Sequence, residues 1–341
     1  MNKQKILFLI STLILVIGIV GYNYYQNIFG ELVTKDGAIY IGSNETINDV
    51  EKELFDFLGD DNNFNWLAQQ KKYLNPKAGK YILTKGMSLN DVINLLRSGN
   101  QTPIKVSFNN QDTLEKFSGR ISTQIEADSI SILEIFKDPV FLKNNKLTEA
   151  SVLGILIPNT YEFYWNASAE TVANKLYQNT ISFWTPSRIR QAKELGLTPG
   201  EVSTLASIVI KESSKADDRP KVARLYLNRL ATGMKLQADP TVIYAIQQEK
   251  PDAVVQRVLR KDLTIDSPYN TYKNVGLPPG PICVPEKAAL LAVLEAPEHD
   301  YIFMCADPDQ PGYHAFARNY AGHLVNQRKW TNWLNSRKIY R

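Results

Sequence analysis

The sequence predicts an α+β protein with a single N-terminal transmembrane helix, a small α+β module and a larger mixed α+β domain. An apolar run long enough to cross a bilayer lies close to the N-terminus. A pattern of short strand, turn and capped helix follows it and occurs three times. The rest of the chain alternates helices with loops rich in proline and tyrosine, and it ends in a hairpin pattern.

The first predicted element is a membrane anchor. Its apolar run covers residues 6–25, about the 20 residues that a spanning helix needs. Lys3 and Lys5 precede the run and no basic residue closely follows it, which predicts a cytoplasmic N-terminus. A cleaved signal peptide is the alternative, but the run ends in aromatic residues without a small-residue cleavage pattern. We therefore expect residues 1–30 to form an uncleaved anchor.

The small module is predicted at residues 31–104. Its strands begin near Ala38 and Lys80, and the helices that follow them are capped by Thr46 and Ser88. A further strand near Ile104 and a helix capped by Thr113 repeat the pattern, and another helix is expected at residues 63–73. From residue 128 to residue 184 the pattern is helical with one interruption, the apolar segment 155–163 with its Pro-Asn turn.

The helix that begins after Thr198 carries the candidate catalytic residue. Thr198, Pro199 and Glu201 form a capping-box start with proline at the first helical position. Apolar residues at helical spacing define one face, and Glu212 projects from that side near the C-terminal end. Apolar surroundings and the negative end of the helix dipole both raise a carboxyl pKa. Glu212 is therefore a candidate general acid.

An ion pair is the alternative for Glu212. Arg219, Arg224 and Arg229 all lie on the helix that follows, and any of them could neutralise the carboxylate. Beyond that helix, residues 235–241 form a polar turn, and loops follow at residues 269–272 and 276–282. A helix is expected near Pro285, followed by a hairpin of strands 301–306 and 313–317 that carries His314.

Composition excludes several classes of function. The net charge of the 341 residues is only +4 and no long Lys/Arg block occurs, so a nucleic-acid partner is not expected. Cys283 and Cys305 do not form a CxxC pair, and the three histidines do not form a metal-binding motif. We expect neither a metal nor a cofactor. Both cysteines are expected to be buried and unpaired, and a disulfide between them is the alternative.

Several motifs occur in an order that resembles one family. They are LASIVIKE at residues 205–212, RPKVA at 219–223, LNRL at 227–230, GMKLQADPTV at 233–242, YNTY at 269–272, GLPPGPI at 276–282 and HAF at 314–316. This set resembles the YceG-like endolytic murein transglycosylases. Nearly the whole chain after the anchor is covered, with the catalytic domain at residues 105–341.

The resemblance implies a single-pass enzyme of the bacterial inner membrane, with its catalytic domain outside the cytoplasm. Such enzymes cleave the MurNAc–GlcNAc bond within nascent peptidoglycan strands and leave 1,6-anhydroMurNAc ends. Glu212 matches the family's catalytic Glu, while Ile210 replaces a second Glu that many members carry. Peptidoglycan synthases are implied as partners, and residues 31–104 resemble a LysM-like module.

The remaining site residues are predicted from the motifs around Glu212. Substrate-binding roles, positioning the sugar or orienting Glu212, are assigned to Gln237, Asp239, Thr241, Asn270, Tyr272 and His314. A lone His on a strand is also compatible with a structural role. Two other functions stay open. A muramidase would hydrolyse the same bond with Asp239 as the second carboxylate, and a non-catalytic scaffold would bind peptidoglycan without cleaving it.

Overall fold

The computed structural model describes residues 3–59, 63–251, 253–255 and 257–337, which contain helices and short strands. The helices are α1 Lys3–Phe29, α2 Ile47–Leu58, α3 Asn63–Gln70, α4 Leu89–Ser98, α5 Leu114–Ser122, α6 Ser129–Lys137, α7 Pro139–Asn144, α8 Ala169–Phe183, α9 Pro186–Glu194, α10 Pro199–Glu212, α11 Arg219–Ala231, α12 Asp239–Glu249, α13 Lys287–Leu294 and α14 Tyr320–Ser336. The strands are β1 Gly37–Ile41, β2 Gly79–Leu83, β3 Ile104–Ser107, β4 Thr160–Phe163, β5 Phe303–Ala306 and β6 His314–Ala317. Short 3-10 helices lie at Val152–Ile155 and Asp262–Thr264. The mixed α+β class is thus confirmed.

The chain divides into two compact units. The first consists of Met1–Val106, Gln124–Ala127 and Tyr161–Ser168. The second consists of Ser107–Thr123, Asp128–Thr160 and Ala169–Arg341.

Helix α1 is the apolar helix expected near the N-terminus. Its 27 residues extend for about 40 Å at 1.5 Å per residue. Among the described residues it is the one helix long and apolar enough to cross a membrane. Its apolar side chains are exposed along most of its length, and Ile28 near its end is buried in the core of the first unit. This helix fits a single-pass anchor.

The first unit confirms the predicted strand–turn–helix pattern. Strands β1 and β2 pair antiparallel, and their inward residues form one core with the apolar faces of α2, α3 and α4. The Ser88 hydroxyl accepts a hydrogen bond from the Asp91 amide at 3.2 Å, and the Asp91 carboxylate accepts one from the Ser88 amide at 3.3 Å. This capping box fixes the start of α4, as the sequence predicted.

One strand was not expected from the sequence. Residues 155–163 were interpreted as an interruption between helices, but Thr160–Phe163 forms β4 and pairs with β3. Its side chains alternate, with Tyr161 and Phe163 buried and the other two exposed. A four-residue alternation is the shortest that indicates a strand, and here it follows a continuous apolar run at residues 155–157 that obscures the period.

The second unit is built around α10. This helix packs against α11 and α13, and Val202, Leu205, Ile208 and Val209 are fully buried in the shared core. The proline-rich loop 276–282 closes over this core and contributes Ile282 to it. Helix α10 is therefore held on several sides, which fixes the position of its C-terminal end.

The loop 276–282 is expected to require glycine at position 280. A Cβ atom at Gly280 would lie 1.8 Å from the carbonyl oxygen of Ala150, so the backbone of one segment would have to move. We expect Gly280→Ala to destabilise the protein by about 2 kcal/mol, as overpacking does elsewhere. Gly119→Ala is the matched control, because nothing lies within 4 Å of its Cβ position on α5. Thermal unfolding of both variants checks this, and an equal effect of the two would contradict it.

Candidate active site

Glu212 is the last residue of α10, and local sequence explains why the helix places it there. The Thr198 hydroxyl accepts from the Glu201 amide at 3.3 Å, and the Glu201 carboxylate accepts from the Thr198 amide at 2.7 Å. The predicted capping box is thus confirmed. One turn before Glu212, Ile208 and Val209 are fully buried, so the glutamate emerges from the core side of the helix. Its own side chain is partly buried.

The carboxyl group of Glu212 accepts a direct hydrogen bond from a buried tyrosine. The hydroxyl of Tyr226, on α11, donates to Oε1 at 2.7 Å, and Tyr226 is itself 1% exposed. Burial raises the pKa of Glu212 to about 7, and the nearby charge of Asp239 acts in the same direction. The hydrogen bond from the Tyr226 hydroxyl and the nearby imidazole of His314 oppose this rise. The group is therefore able both to donate and to accept a proton near neutral pH.

The arginines that could have paired with Glu212 have other partners. Arg219 donates to Glu286 at 3.1 Å and to the Ser213 carbonyl at 3.0 Å. Arg224 donates to the carbonyls of Ala296 and Pro297, and Arg229 to those of Leu236 and Ile302. The charge of Arg229 also acts to lower the pKa of Glu212. These contacts favour the interpretation of Glu212 as a proton donor over that of a structural ion pair.

Asp239 and Tyr272 meet beside Glu212. Asp239 is the first residue of α12 and is exposed, and its Oδ1 accepts a hydrogen bond of 2.5 Å from the Tyr272 hydroxyl. Burial raises the pKa of Tyr272, and the charges of Asp239 and Glu212 raise it further, so this phenol stays a donor. Two of the predicted site residues thus form an acceptor–donor pair within electrostatic reach of Glu212.

Three other predicted residues lie near this pair: Gln237 in the turn before α12, Thr241 in the first turn of α12 and Asn270 in the loop that carries Tyr272. Gln237 is exposed, and its backbone has a positive φ of 51°, an unusual conformation for a residue other than glycine. The Thr241 and Asn270 side chains are fully buried. Thr241 donates to the Ala238 carbonyl at 2.7 Å, while Asn270 donates to the carbonyls of Leu263 and Ile265 and accepts from the Tyr272 amide. In this structure Thr241 and Asn270 hold backbone, and Gln237 faces solvent.

His314 lies on β6 and is held by a buried carboxylate. Its Nδ1 is 2.6 Å from Oδ2 of Asp218, which is 3% exposed. The same oxygen accepts a hydrogen bond of 3.0 Å from the Ser213 hydroxyl, and Ser213 directly follows Glu212. Asp218 therefore connects the imidazole to the end of the helix that carries Glu212.

Sequence reasoning missed Tyr226 and Asp218 as members of this site. Tyr226 lies three residues before Arg229 on α11, and this spacing places both on one face of the helix. Asp218 stands at the N-cap position of α11, directly before the first arginine of that helix. The sequence indicated a helix face for Tyr226 and a helix start for Asp218. Neither signal predicts that the residue lies close to Glu212.

Both cysteines are free thiols in the part of the chain that the structure describes. Cys283 is buried in the second unit, where burial raises the pKa of its thiol to about 11. Cys305, on β5, is partly exposed. A thiol with a raised pKa is a poor nucleophile, so Cys283 serves packing.

Comparisons with known proteins identify relatives along most of the chain. The profile of the YceG-like family matches residues 39–329. A curated endolytic murein transglycosylase of Bacillus subtilis is 29% identical over 290 residues, 80% of this chain and 78% of that protein. One from Streptococcus pneumoniae is 26% identical over 79% of this chain, which corresponds to 53% of the longer relative. A crystal structure of a yceG-like protein from Listeria monocytogenes superposes with a TM-score of 0.57 at 28% identity, covering 85% of this chain and 98% of that one.

Proposed function

The chain belongs to the YceG-like family, and on that premise we propose that it is an endolytic murein transglycosylase with Glu212 as general acid and base. The family resemblance read from the sequence motifs is confirmed by the profile match and by the curated relatives. The observation that carries the catalytic assignment is the state of Glu212. It is a partly buried carboxyl group whose pKa lies near 7, and its hydrogen-bond donor is a neutral phenol.

The proposed reaction needs one carboxyl group. Protonated Glu212 gives its proton to the glycosidic oxygen that leaves with GlcNAc, as the bond from that oxygen to the anomeric carbon of MurNAc breaks. The carboxylate then takes the proton of the muramyl 6-hydroxyl, whose oxygen forms the new bond to the anomeric carbon. The sugar ends as 1,6-anhydroMurNAc, Glu212 regains its proton, and no water is consumed.

The neighbouring residues have separate roles in this proposal. Tyr226 holds Oε1, which leaves the other carboxyl oxygen for the substrate. Asp239, Tyr272, Gln237 and His314 bind the sugars around the scissile bond, since all four are at least partly exposed at the site. Thr241 and Asn270 fix the backbone beneath them, and Asp218 fixes the imidazole of His314.

The N-terminal part of the chain is proposed to anchor the protein in the membrane and to contact the cell wall. We propose that α1 crosses the bacterial cytoplasmic membrane with Lys3 and Lys5 inside, as the charge asymmetry indicates. Residues 31–104 are proposed as a LysM-like module that contacts glycan outside, followed by the catalytic domain at residues 105–341. Peptidoglycan synthases are proposed partners, because an endolytic enzyme of nascent strands works where strands are made.

Product analysis tests the proposed function. The full-length protein in detergent is incubated with purified peptidoglycan, and the released glycans are analysed by mass spectrometry. We expect muramyl ends that are one water lighter than hydrolysed ends. Reducing ends instead would identify a muramidase and make Asp239 the candidate second carboxylate. Binding without any release would indicate a scaffold.

The activity should depend on pH through the ionisation of Glu212, and the hydrogen bond from Tyr226 should determine the pH at which the activity falls. Only the protonated acid starts the reaction, so kcat/KM should fall as the pH rises above about 7. The Tyr226 hydroxyl favours the charged carboxylate, so Tyr226→Phe should raise the pKa of Glu212 and move this limb up by about one pH unit, the equivalent of one hydrogen bond. Rate profiles from pH 5 to 9 measure the shift.

The control for this profile is Tyr177→Phe. Tyr177 lies on α8, and its hydroxyl donates to the Asn145 carbonyl at 3.3 Å. It is far from Glu212 in sequence and forms no hydrogen bond with it. Its removal should leave the limb in place. A Tyr226→Phe limb that stays at the wild-type pH, or moves down, would contradict the proposed hydrogen bond.

A further inference from the structure

A groove in the second unit starts beside the active site and follows α12. It consists of two adjoining cavities of about 240 and 400 Å³ that share Tyr244. The first is lined by Asp112, Lys211, Pro240, Ile243, Tyr244, Gln247 and Ile282. The second includes Glu115, Lys137, Glu149, Gln248 and Tyr269. We call these two cavities the α12 groove.

Two residues that line the groove are sequence neighbours of residues in the candidate active site. Lys211, in its wall, immediately precedes Glu212 on α10, and Pro240 immediately follows Asp239 on α12. The groove residues of α12, which run from Pro240 to Gln248, have the spacing of one helix face. That face extends for about 12 Å at 1.5 Å per residue, the length of three to four extended peptide residues at about 3.3 Å each.

The walls of the groove carry both signs of charge. Lys211 is paired with Asp112, and Lys137 is paired with Glu115 at 3.0 Å. These four side chains are 35–59% exposed, and exposed ion pairs of this kind contribute little to stability. A ligand with carboxylates and an amino group could therefore replace one member of each pair at small cost.

Two aromatic rings line the groove. The rings of Tyr244 and Tyr269 lie 4.7 Å apart, and each is partly buried. Beside them Gln247 and Gln248 supply amide groups that can pair with a peptide backbone. Aromatic rings together with amides and charges of both signs suit a short charged peptide better than an uncharged sugar chain.

We propose that the α12 groove binds the peptide stem that branches from the muramyl sugar at the cleavage site. The proposal rests on the proposed function for the identity of that sugar. Lys211 and Lys137 would receive the carboxylates of the stem, and Asp112, Glu115 and Glu149 its amino group. The enzyme would then select strands that still carry their stems, because the groove adds binding energy that bare glycan cannot use.

The test compares two substrates of equal length, uncross-linked glycan strands with their stems and the same strands after an amidase has removed them. The full-length protein should release anhydromuramyl ends from stem-bearing strands with a kcat/KM about tenfold higher. Lys211→Gln and Tyr244→Ala should bring this ratio close to one, and Tyr244→Phe should restore most of it. Lys193→Gln, an exposed lysine in the last turn of α9, is the control and should keep the wild-type ratio.

A binding measurement separates this inference from the proposed function. The free stem peptide is titrated calorimetrically into the full-length protein and into Lys211→Gln. Binding that the variant weakens at least about fivefold supports the groove, even if no cleavage product is found with any strand. Equal cleavage of both substrates by the wild type, or no detectable peptide binding, overturns the inference and leaves the assignment of Glu212 untouched.

Discussion

Glu212→Gln is expected to lower kcat/KM for the formation of anhydromuramyl ends by at least about 10³-fold. General acid or base catalysis by one group contributes typically 10²- to 10⁴-fold, and here the same carboxyl group performs both proton transfers. The amide can still accept the Tyr226 hydrogen bond through its oxygen, so the variant keeps the contact that orients the side chain. Quantifying anhydro ends by mass spectrometry at several pH values measures the loss.

The matched control is Glu201→Gln, at the opposite end of the same helix. Glu201 completes the capping box of α10 and has no contact with the site, so this variant should keep activity within about twofold. Burying an amide instead of an ionisable carboxyl group should leave the thermal stability of Glu212→Gln equal or higher. A Glu212→Gln protein that folds and retains more than a tenth of the wild-type rate would contradict the assignment.

Features that depend on neighbouring residues in the sequence were predictable. Thr198, Pro199 and Glu201 fix the start of α10 through hydrogen bonds that span three residues, so the sequence contains all of the relevant information. The same holds for the caps at Ser88 and Thr113. The position of Glu212 on the buried side of its helix follows from a helical period of 3.6 residues.

Contacts between distant segments were not predictable in the same way. Tyr226 reaches Glu212 because α10 and α11 cross at a particular angle, and helix periodicity does not determine crossing angles. Asp218 and His314 are 96 residues apart and meet through the placement of the β5–β6 hairpin. The chemistry of each residue could be read from the sequence, but the pairing could not.

The sequence did not reveal the roles of two polar residues in the predicted site. Asn270 and Thr241 occur in motifs that suggest sugar ligands, yet the structure turns both side chains inward. A loop without a strand ladder has backbone groups that still need partners, and short polar side chains supply them. Such residues shape a site by holding its backbone, and composition alone does not distinguish this role from ligand binding.

Arg229→Met is expected to destabilise the protein by about 3 kcal/mol. Arg229 is 7% exposed and donates to two backbone carbonyls, that of Ile302 at 2.7 Å and that of Leu236. Methionine fills a similar volume but has no donor, so both carbonyls would lose their partner, at about 1–3 kcal/mol for each group left unsatisfied. Chemical unfolding of the full-length protein in detergent measures the change.

Arg229→Met should also lower activity, because the two carbonyls belong to residues that lie just before active-site segments in the sequence. Leu236 comes just before the turn that leads to Asp239, and Ile302 just before β5, which pairs with the strand of His314. Arg224→Met is the control: Arg224 also donates to two carbonyls, but it is partly exposed, so water can replace it and the loss should stay below about 1 kcal/mol. Equal destabilisation by the two variants would mean that burial of the guanidinium does not determine how much the arginine contributes to stability. It would also contradict the role of Arg229 in joining the turn before Asp239 to the hairpin that carries His314.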